Sequence, residues 1–267
     1  MTAVSEVLAR AKDEGRAALV GYLPVGFPDV EGSVRAVRAL VESGVDIVEV
    51  GLPYTDPLMD GPVIQTAATR ALEGGVRVRD VFTAVRAVHE AGAAAVVMTY
   101  WNPVLHYGVD RFAADLSAAG GSGLITPDLV PDEAQEWIEA SDRHDLDRIF
   151  LVAPSSTTER LRMTTGAARG FVYVAALMGV TGARTSVGDA AGALVERTRA
   201  VTDLPLCVGL GVSTREQVAQ VAGFADGVIV GSALVRTLVD APDPDTGLAD
   251  LRALARELAA GAREGGR

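Results

Sequence analysis

Apolar residues fall along the chain in two alternating patterns. Short runs rich in Val, Ile, Leu and Ala occur near residues 17–23, 45–50, 94–99, 123–126, 148–153, 171–176, 205–209 and 227–231. Most are too continuous for strands with one wet face and read as strands buried on both faces. Between them the apolar positions take helical spacing: Val30–Ser43, Val78–Ala91, Asp110–Ala119, Asp132–Ser141, Thr157–Gly166, Val187–Val201 and Thr214–Ala222, with Ala233–Val239 and Leu248–Ala262 after the last strand. An amphipathic helix is predicted at the N-terminus, from about Val4 to Glu14, and an extra helix over Gly61–Leu72, inside the second connection. Gly261–Arg267 reads as a frayed tail.

Strand and helix alternate without a break in composition, so residues 1–267 read as one α/β domain with a parallel sheet. Eight units in about 250 residues fit a closed (β/α)8 TIM barrel with two additions, the N-terminal helix and the helix in the second connection. The 29 glycines punctuate the connections rather than forming a tract. A doubly wound open sheet usually carries a Gly-x-Gly-x-x-Gly turn after its first strand; here that turn reads Gly21-Tyr22-Leu23-Pro24-Val25-Gly26.

Charge narrows the chemistry. Twenty-four basic and 35 acidic side chains leave a net charge of −11, which argues against nucleic acid and anionic membrane surfaces as partners. The only lysine is Lys12, in the N-terminal helix. Schiff-base chemistry and a phosphate-loop NTPase both need a lysine beside the reacting atoms and are disfavoured. The single cysteine, Cys207, excludes an internal disulfide and fits a reducing cytoplasm or a disulfide-free secreted protein. His89, His106 and His144 are scattered, without metal-motif spacing, and His106 reads as a loop residue. The N-terminus lacks an apolar signal core, and no apolar run is long enough to span a bilayer.

In this fold the active site lies at the C-terminal ends of the strands. Strand two, Val45-Asp46-Ile47-Val48-Glu49-Val50-Gly51, places Glu49 among valines, where desolvation raises a carboxyl toward the range useful for acid–base work. Its structural alternative is a carboxylate paired with an arginine or capping a backbone donor. The following loop adds Asp56, a turn residue before Pro57, and Asp60, which by itself also reads as the N-cap of the extra helix. Strands seven and eight end in glycine turns, Gly209-Leu210-Gly211-Val212-Ser213 and Gly231-Ser232, suited to cradling an anion at helix N-termini or serving as ordinary tight turns. The long loop after strand six, with Gly179 and Gly182, reads as a lid or as an unconstrained surface loop, and Gly182 in a lid offers a further N–H to an anion. Tyr22, Met98, Tyr100, Trp101, Ile125 and Leu151 supply an apolar, aromatic lining or ordinary core. The residues alone imply proton transfer on a phosphorylated, partly aromatic substrate, by a lyase or an isomerase.

The segment Val48-Glu49-Val50-Gly51-Leu52-Pro53-Tyr54-Thr55-Asp56-Pro57-Leu58-Met59-Asp60-Gly61-Pro62-Val63-Ile64-Gln65 resembles the signature of the tryptophan synthase alpha-chain family. Tyr100-Trp101-Asn102-Pro103, Pro127-Asp128-Leu129, Gly179-Val180-Thr181-Gly182, Gly209-Leu210-Gly211-Val212-Ser213 and Gly231-Ser232 match in family order over nearly the whole chain. The resemblance implies a lyase of L-tryptophan biosynthesis that cleaves indole-3-glycerol phosphate to indole and glyceraldehyde 3-phosphate by acid–base, retro-aldol catalysis. It implies Glu49 and Asp60 as catalytic residues, with Tyr173 and the lid residue Thr181 in support. Gly182, Gly211, Gly231 and Ser232 would bind phosphate. Tyr22, Met98, Tyr100, Ile125, Leu151 and Leu210 would line the indole pocket. Asp56, Asn102 and Asp128 would face a partner. That partner would be the beta chain, carrying pyridoxal phosphate in a cytoplasmic α2β2 tetramer, while this chain itself would hold no cofactor and no metal. The resemblance is weaker at the first strand end and at Ala176-Leu177-Met178, where many members have serine and arginine.

Overall fold

The structure is a computed structural model that describes residues 2–176, 187–209 and 211–266. Helix α1 (Ala3–Asp13) precedes strand β1 (Ala18–Pro24), and α2 (Val30–Glu42) leads to β2 (Ile47–Gly51). The second connection carries two helices, α3 (Pro62–Glu73) and α4 (Asp80–Glu90), before β3 (Ala94–Met98). Helices α5 (Trp101–Tyr107) and α6 (Val109–Ala118) lead to β4 (Gly123–Ile125). A 3-10 turn at Pro131–Glu133 and α7 (Gln135–Arg143) precede β5 (Asp147–Ile149) and β6 (Leu151–Val152). The remainder runs α8 (Thr158–Ala167), β7 (Val172–Ala175), α9 (Val187–Arg199), β8 (Leu206–Gly209), α10 (Arg215–Ala222), β9 (Gly227–Val230), α11 (Ser232–Val239) and α12 (Pro244–Glu264).

Among the described residues nine parallel strands form one sheet in the order β5-β4-β3-β2-β1-β9-β8-β7-β6. The two edge strands are one stretch of chain separated only by Phe150. Its first half pairs with β4 and its second with β7, and the Phe150 carbonyl accepts the Tyr173 N–H at 3.1 Å. The sheet therefore closes on itself as a (β/α)8 barrel, and the eight apolar runs correspond to eight staves, the fifth recorded in two pieces. An open doubly wound sheet has two free edges and is excluded.

Alternation along the strands sorts side chains between two compartments. Val48 and Val50 of β2 join the large cluster between sheet and helices, whereas Ile47 belongs to the barrel interior with Ala18, Val20, Val96, Ile125 and Ile149. Glu49 shares the inward side with Ile47. The lower end of the interior is stoppered by α1, whose Val4, Val7, Leu8 and Ala11 recur at helical spacing and join that cluster. Thr2 caps α1, and its hydroxyl donates to the buried Asp147 carboxylate at 2.5 Å. Lys12, near the end of α1, consequently sits at the end of the barrel opposite the C-terminal strand ends.

Three expectations are corrected. The stretch after β3 forms a helix, α5, so His106 is an exposed helical residue rather than a loop residue. Gln135–Arg143 is helical, but the predicted start at Asp132 is a separate 3-10 turn. The C-terminal helix runs on to Glu264 instead of fraying at Gly261, because Gly261 packs so closely on the Arg215 carbonyl that a Cβ there would collide with it.

Candidate active site

A cavity of about 740 Å³ opens at the C-terminal end of the barrel. Glu49 and Asp60 both line it. Glu49 is 1 % exposed, and its Oε2 has no hydrogen-bond partner among the described residues. Neither the arginine pairing nor the backbone capping that would make it structural is present there. Burial, with a smaller contribution from the Asp60 charge, pushes the Glu49 carboxyl up to about 8. Near neutral pH it is a carboxylic acid with a proton to give.

Asp60 reaches the cavity from the loop before α3. It is not the helix cap: Gly61 occupies that position, without a side-chain cap, and Pro62 fills the first turn. The Asp60 carboxyl is free for other work. Burial raises its pKa, and a hydrogen bond from the Tyr100 hydroxyl, 3.3 Å from Oδ1, opposes the rise. The same hydroxyl accepts the Leu58 and Met59 N–H groups, each at 3.0 Å. Tyr100 therefore ties the loop that carries Asp60, and does not line the cavity.

Tyr22 and Tyr173 form the inner wall. Tyr22 stands beside Glu49 in the β1–β2 register, and Tyr173 faces Cys207 across β7–β8. Each phenol lies over a glycine of the neighbouring strand. A Cβ at Gly51 would run into the Tyr22 ring and hydroxyl, and one at Gly209 would run into the Tyr173 ring and hydroxyl. Burial raises both phenols well above their ordinary value, so they stay neutral.

Next to Tyr22 the cavity meets Gly231, and with it Gly211 and Ser232. Gly211 has φ +71°, a conformation natural to glycine. Gly231 occupies the cap position of α11 and Ser232 begins the helix, with no side chain capping the first turn. The N–H groups there remain available to an anion.

Met98 also lines the cavity. Ile125 does not; it is fully buried in the barrel interior, and Leu151 packs against that interior without lining the cavity. Gly209 of the predicted glycine turn lines it too, and Met59, Pro62, Ile64, Ala176 and Ile229 line it although sequence reasoning did not select them. Ile64 was accessible from the helical spacing of the extra helix, and Ile229 from the inward parity of the last strand. Thr181, Gly182 and Leu210 lie outside the described residues, as do Leu177 and Met178 of the predicted lid.

Asp56 and Asp128, from loops, and Asn102, in the first turn of α5, come from connections at the same barrel end. Asp128 accepts the Trp101 N–H at 2.9 and 3.1 Å, closing the start of α5 from another connection. Asn102 reaches the Tyr54 hydroxyl at 3.4 Å, and Asp56 accepts from Thr55 at 2.5 Å. Leu58, Leu105 and Val130, from the same three connections, are exposed by 77 %, 53 % and 40 %. No described helix is long and apolar enough to cross a membrane.

The sequence profile of the tryptophan synthase alpha chain matches residues 8–263. The chain belongs to the tryptophan synthase alpha-chain family. A tryptophan synthase alpha chain from Thermobifida fusca is 62% identical and aligned over 100% of both chains. One from Mycobacterium marinum is 66% identical over 94% of this chain and 91% of its own. A solved structure of tryptophan synthase from M. tuberculosis, in an open form, superposes with a TM-score of 0.91 at 60% identity, covering 98% of this chain and 99% of that one. This chain is thus a lyase of tryptophan biosynthesis that cleaves indole-3-glycerol phosphate. Membership of the tryptophan synthase alpha-chain family also implies a beta-chain partner.

Tyr100→Phe tests the tie on the Asp60 loop. Losing the hydroxyl removes the two backbone hydrogen bonds and the contact to Asp60 that hold this exposed loop, and frees Asp60 to wander. The expected result in a steady-state indole assay is a fall in kcat of about tenfold with a smaller change in KM. A kcat within twofold of the parent would mean that the tie is dispensable.

Proposed function

We propose that Glu49 and Asp60 carry the cleavage as an acid–base and charge-stabilising pair. The observation behind this is a buried, unpartnered Glu49 carboxyl facing the same apolar cavity as Asp60. In its neutral form Glu49 donates a proton to the indole carbon that bears the side chain. The ring nitrogen then carries positive charge, and its N–H donates a hydrogen bond to the Asp60 carboxylate. Loss of the proton from the hydroxyl next to the ring lets the carbon–carbon bond break, with the bonding electrons returning to the ring. The products are indole and glyceraldehyde 3-phosphate. Glu49, left as a buried carboxylate, is chemically competent to take the hydroxyl proton. Tyr173 supports Glu49, and Thr181 meets the aspartate from the lid.

Gly182, Gly211, Gly231 and Ser232 bind the substrate phosphate through backbone N–H groups and the Ser232 hydroxyl, which suits a chain whose only lysine is at the far end of the barrel. Tyr22 and Met98 flank the indole ring with Leu210. The chain acts as one barrel domain over residues 1–267, needs no cofactor or metal of its own, and works in the cytoplasm in an α2β2 tetramer with a pyridoxal-phosphate beta chain.

The docking face is built from Asp56, Asn102 and Asp128 together with the exposed Leu58, Leu105 and Val130. Apolar side chains left in water at one end of the molecule favour burial against a partner. Mixing the chain with a beta chain of the family and following indole formation tests the reading. Cleavage of indole-3-glycerol phosphate should occur and rise on mixing; no indole with or without the partner overturns it. Leu105→Asp should weaken association by at least about tenfold while indole formation by the isolated chain stays within about twofold. Unchanged association would remove α5 from the interface.

A further inference from the structure

Behind the phosphate cradle lies a second cavity, of about 630 Å³. It shares Gly211 and Ser232 with the reaction cavity, so the two chambers meet at the cradle itself. Its other walls come from the loop after β8, α11, the turn after it and α12, and include Ser213, Thr237, Asp240 and Asp250. One cation lines it among the described residues, Arg236.

The electrostatic problem of the site gives that arginine a role. A phosphate monoester carries up to two negative charges near neutral pH. It must enter a cavity with two carboxyl groups in a protein of net charge −11. No lysine or arginine lines that cavity among the described residues. Backbone N–H groups supply only the partial charge of a helix end.

Arg236 stands four residues after Ser232 on α11. Residues at that spacing are neighbours on a helix surface, with Cβ atoms about 6 Å apart, well within the reach of a guanidinium. Its side chain is exposed and makes no ion pair or side-chain hydrogen bond among the described residues, although Asp240 and Asp250 line the same cavity.

We propose that Arg236 is a recruiting residue for the substrate phosphate: from the adjoining chamber it supplies the full positive charge that the backbone cradle lacks, and so sets affinity and preference for phosphorylated substrates. The inference rests on the reading of Gly211, Gly231 and Ser232 as the phosphate cradle. An exposed guanidinium near a dianion acts through a screened field. Its contribution belongs in substrate capture, not in the bond-breaking step.

The test uses the full chain with Arg236→Gln, Arg236→Glu, Arg236→Lys and, separately, Ser232→Ala. Indole formation is followed against substrate concentration and ionic strength, with inorganic phosphate as a competing anion. Arg236→Gln should raise KM about threefold to tenfold with kcat unchanged, and raise the phosphate inhibition constant by a similar factor. Arg236→Glu should do more, and Arg236→Lys should retain most of the parent affinity. In the Gln variant the decline of kcat/KM with salt should flatten, a change that a merely structural arginine would not produce. If Ser232→Ala raises KM but Arg236→Gln does not, the cradle stands and the role of Arg236 is overturned. If neither moves KM, the cradle reading fails and the inference falls with it. A loss of kcat in Arg236→Gln with an unchanged salt slope assigns the residue to structure and also overturns the proposal.

Discussion

Glu49→Gln should lower indole formation by about a thousandfold or more while leaving the barrel folded, and more stable than its parent in alkaline solution. Glutamine keeps the size and shape of the side chain but has no proton to donate, and general acid catalysis is worth about 10²–10⁴ in rate. In the parent, activity should fall as pH rises through about 8, because the neutral form of Glu49 is the one that works. The stability effect has the same origin. The folded chain holds the Glu49 proton between the ordinary value of 4.5 and about 8, whereas the unfolded chain has released it. Stability from this group is therefore complete below about 4.5 and is lost as pH rises to about 8. Glutamine escapes that loss, so at pH 9 the variant should lead by a few kcal/mol, since each tenfold difference in proton affinity between folded and unfolded chain is worth about 1.4 kcal/mol. Urea unfolding at pH 5 and pH 9 measures it. A variant less stable than the parent at pH 9 would mean that the Glu49 charge has a partner that the buried, unpaired geometry does not show.

Asp60→Asn should reduce kcat by about a hundredfold to a thousandfold, the usual effect of removing one group that meets charge developing in the transition state. Asparagine can still accept from the Tyr100 hydroxyl, so the loop should stay in place and KM should change less than kcat. A second signature separates lost charge from lost shape. The Asp60 charge is the smaller of the two causes that raise Glu49, so its removal should move the alkaline limb of the pH–rate profile from about 8 to a lower value, though not to that of a free carboxyl, because burial remains. A profile that keeps its alkaline limb at the parent position would uncouple the two carboxyls. A kcat near that of the parent would end the assignment of Asp60.

The parts of the molecule legible in the sequence are those governed by local periodicity. Eight apolar runs correspond to eight staves, and the helices between them fall close to their predicted ends. What failed was non-local. Helix α5 is short, has Pro103 in its first turn, and donates its first N–H, that of Trp101, to the Asp128 carboxylate in another connection, so no local cap announces it. Asp60 looked like a cap because it precedes Gly61-Pro62, and only the fold shows that the glycine takes that position. The site was legible to the same degree. Glu49 is visible as a carboxylate among valines. Alternation says which residues point inward, but not how deep they lie. Strands of a closed barrel tilt and stagger, so equivalent positions occupy different layers. Ile125 is consequently core, whereas Ile229, also inward-facing, reaches the cavity. Tyr100 supplies a hydroxyl tie, a role that depends on three partners at least 40 residues away in the chain and carries no local signature.

The two tyrosines lying over Gly51 and Gly209 make the chamber's capacity depend on side chains that are not there. A methyl group at either glycine would lift a phenol off its strand and tip it toward the space that accepts the substrate. Tolerance for bulkier, ring-substituted analogues is thus limited from beneath, by the resting height of two rings, and widening the chamber calls for smaller residues at 22 or 173 rather than changes at its rim.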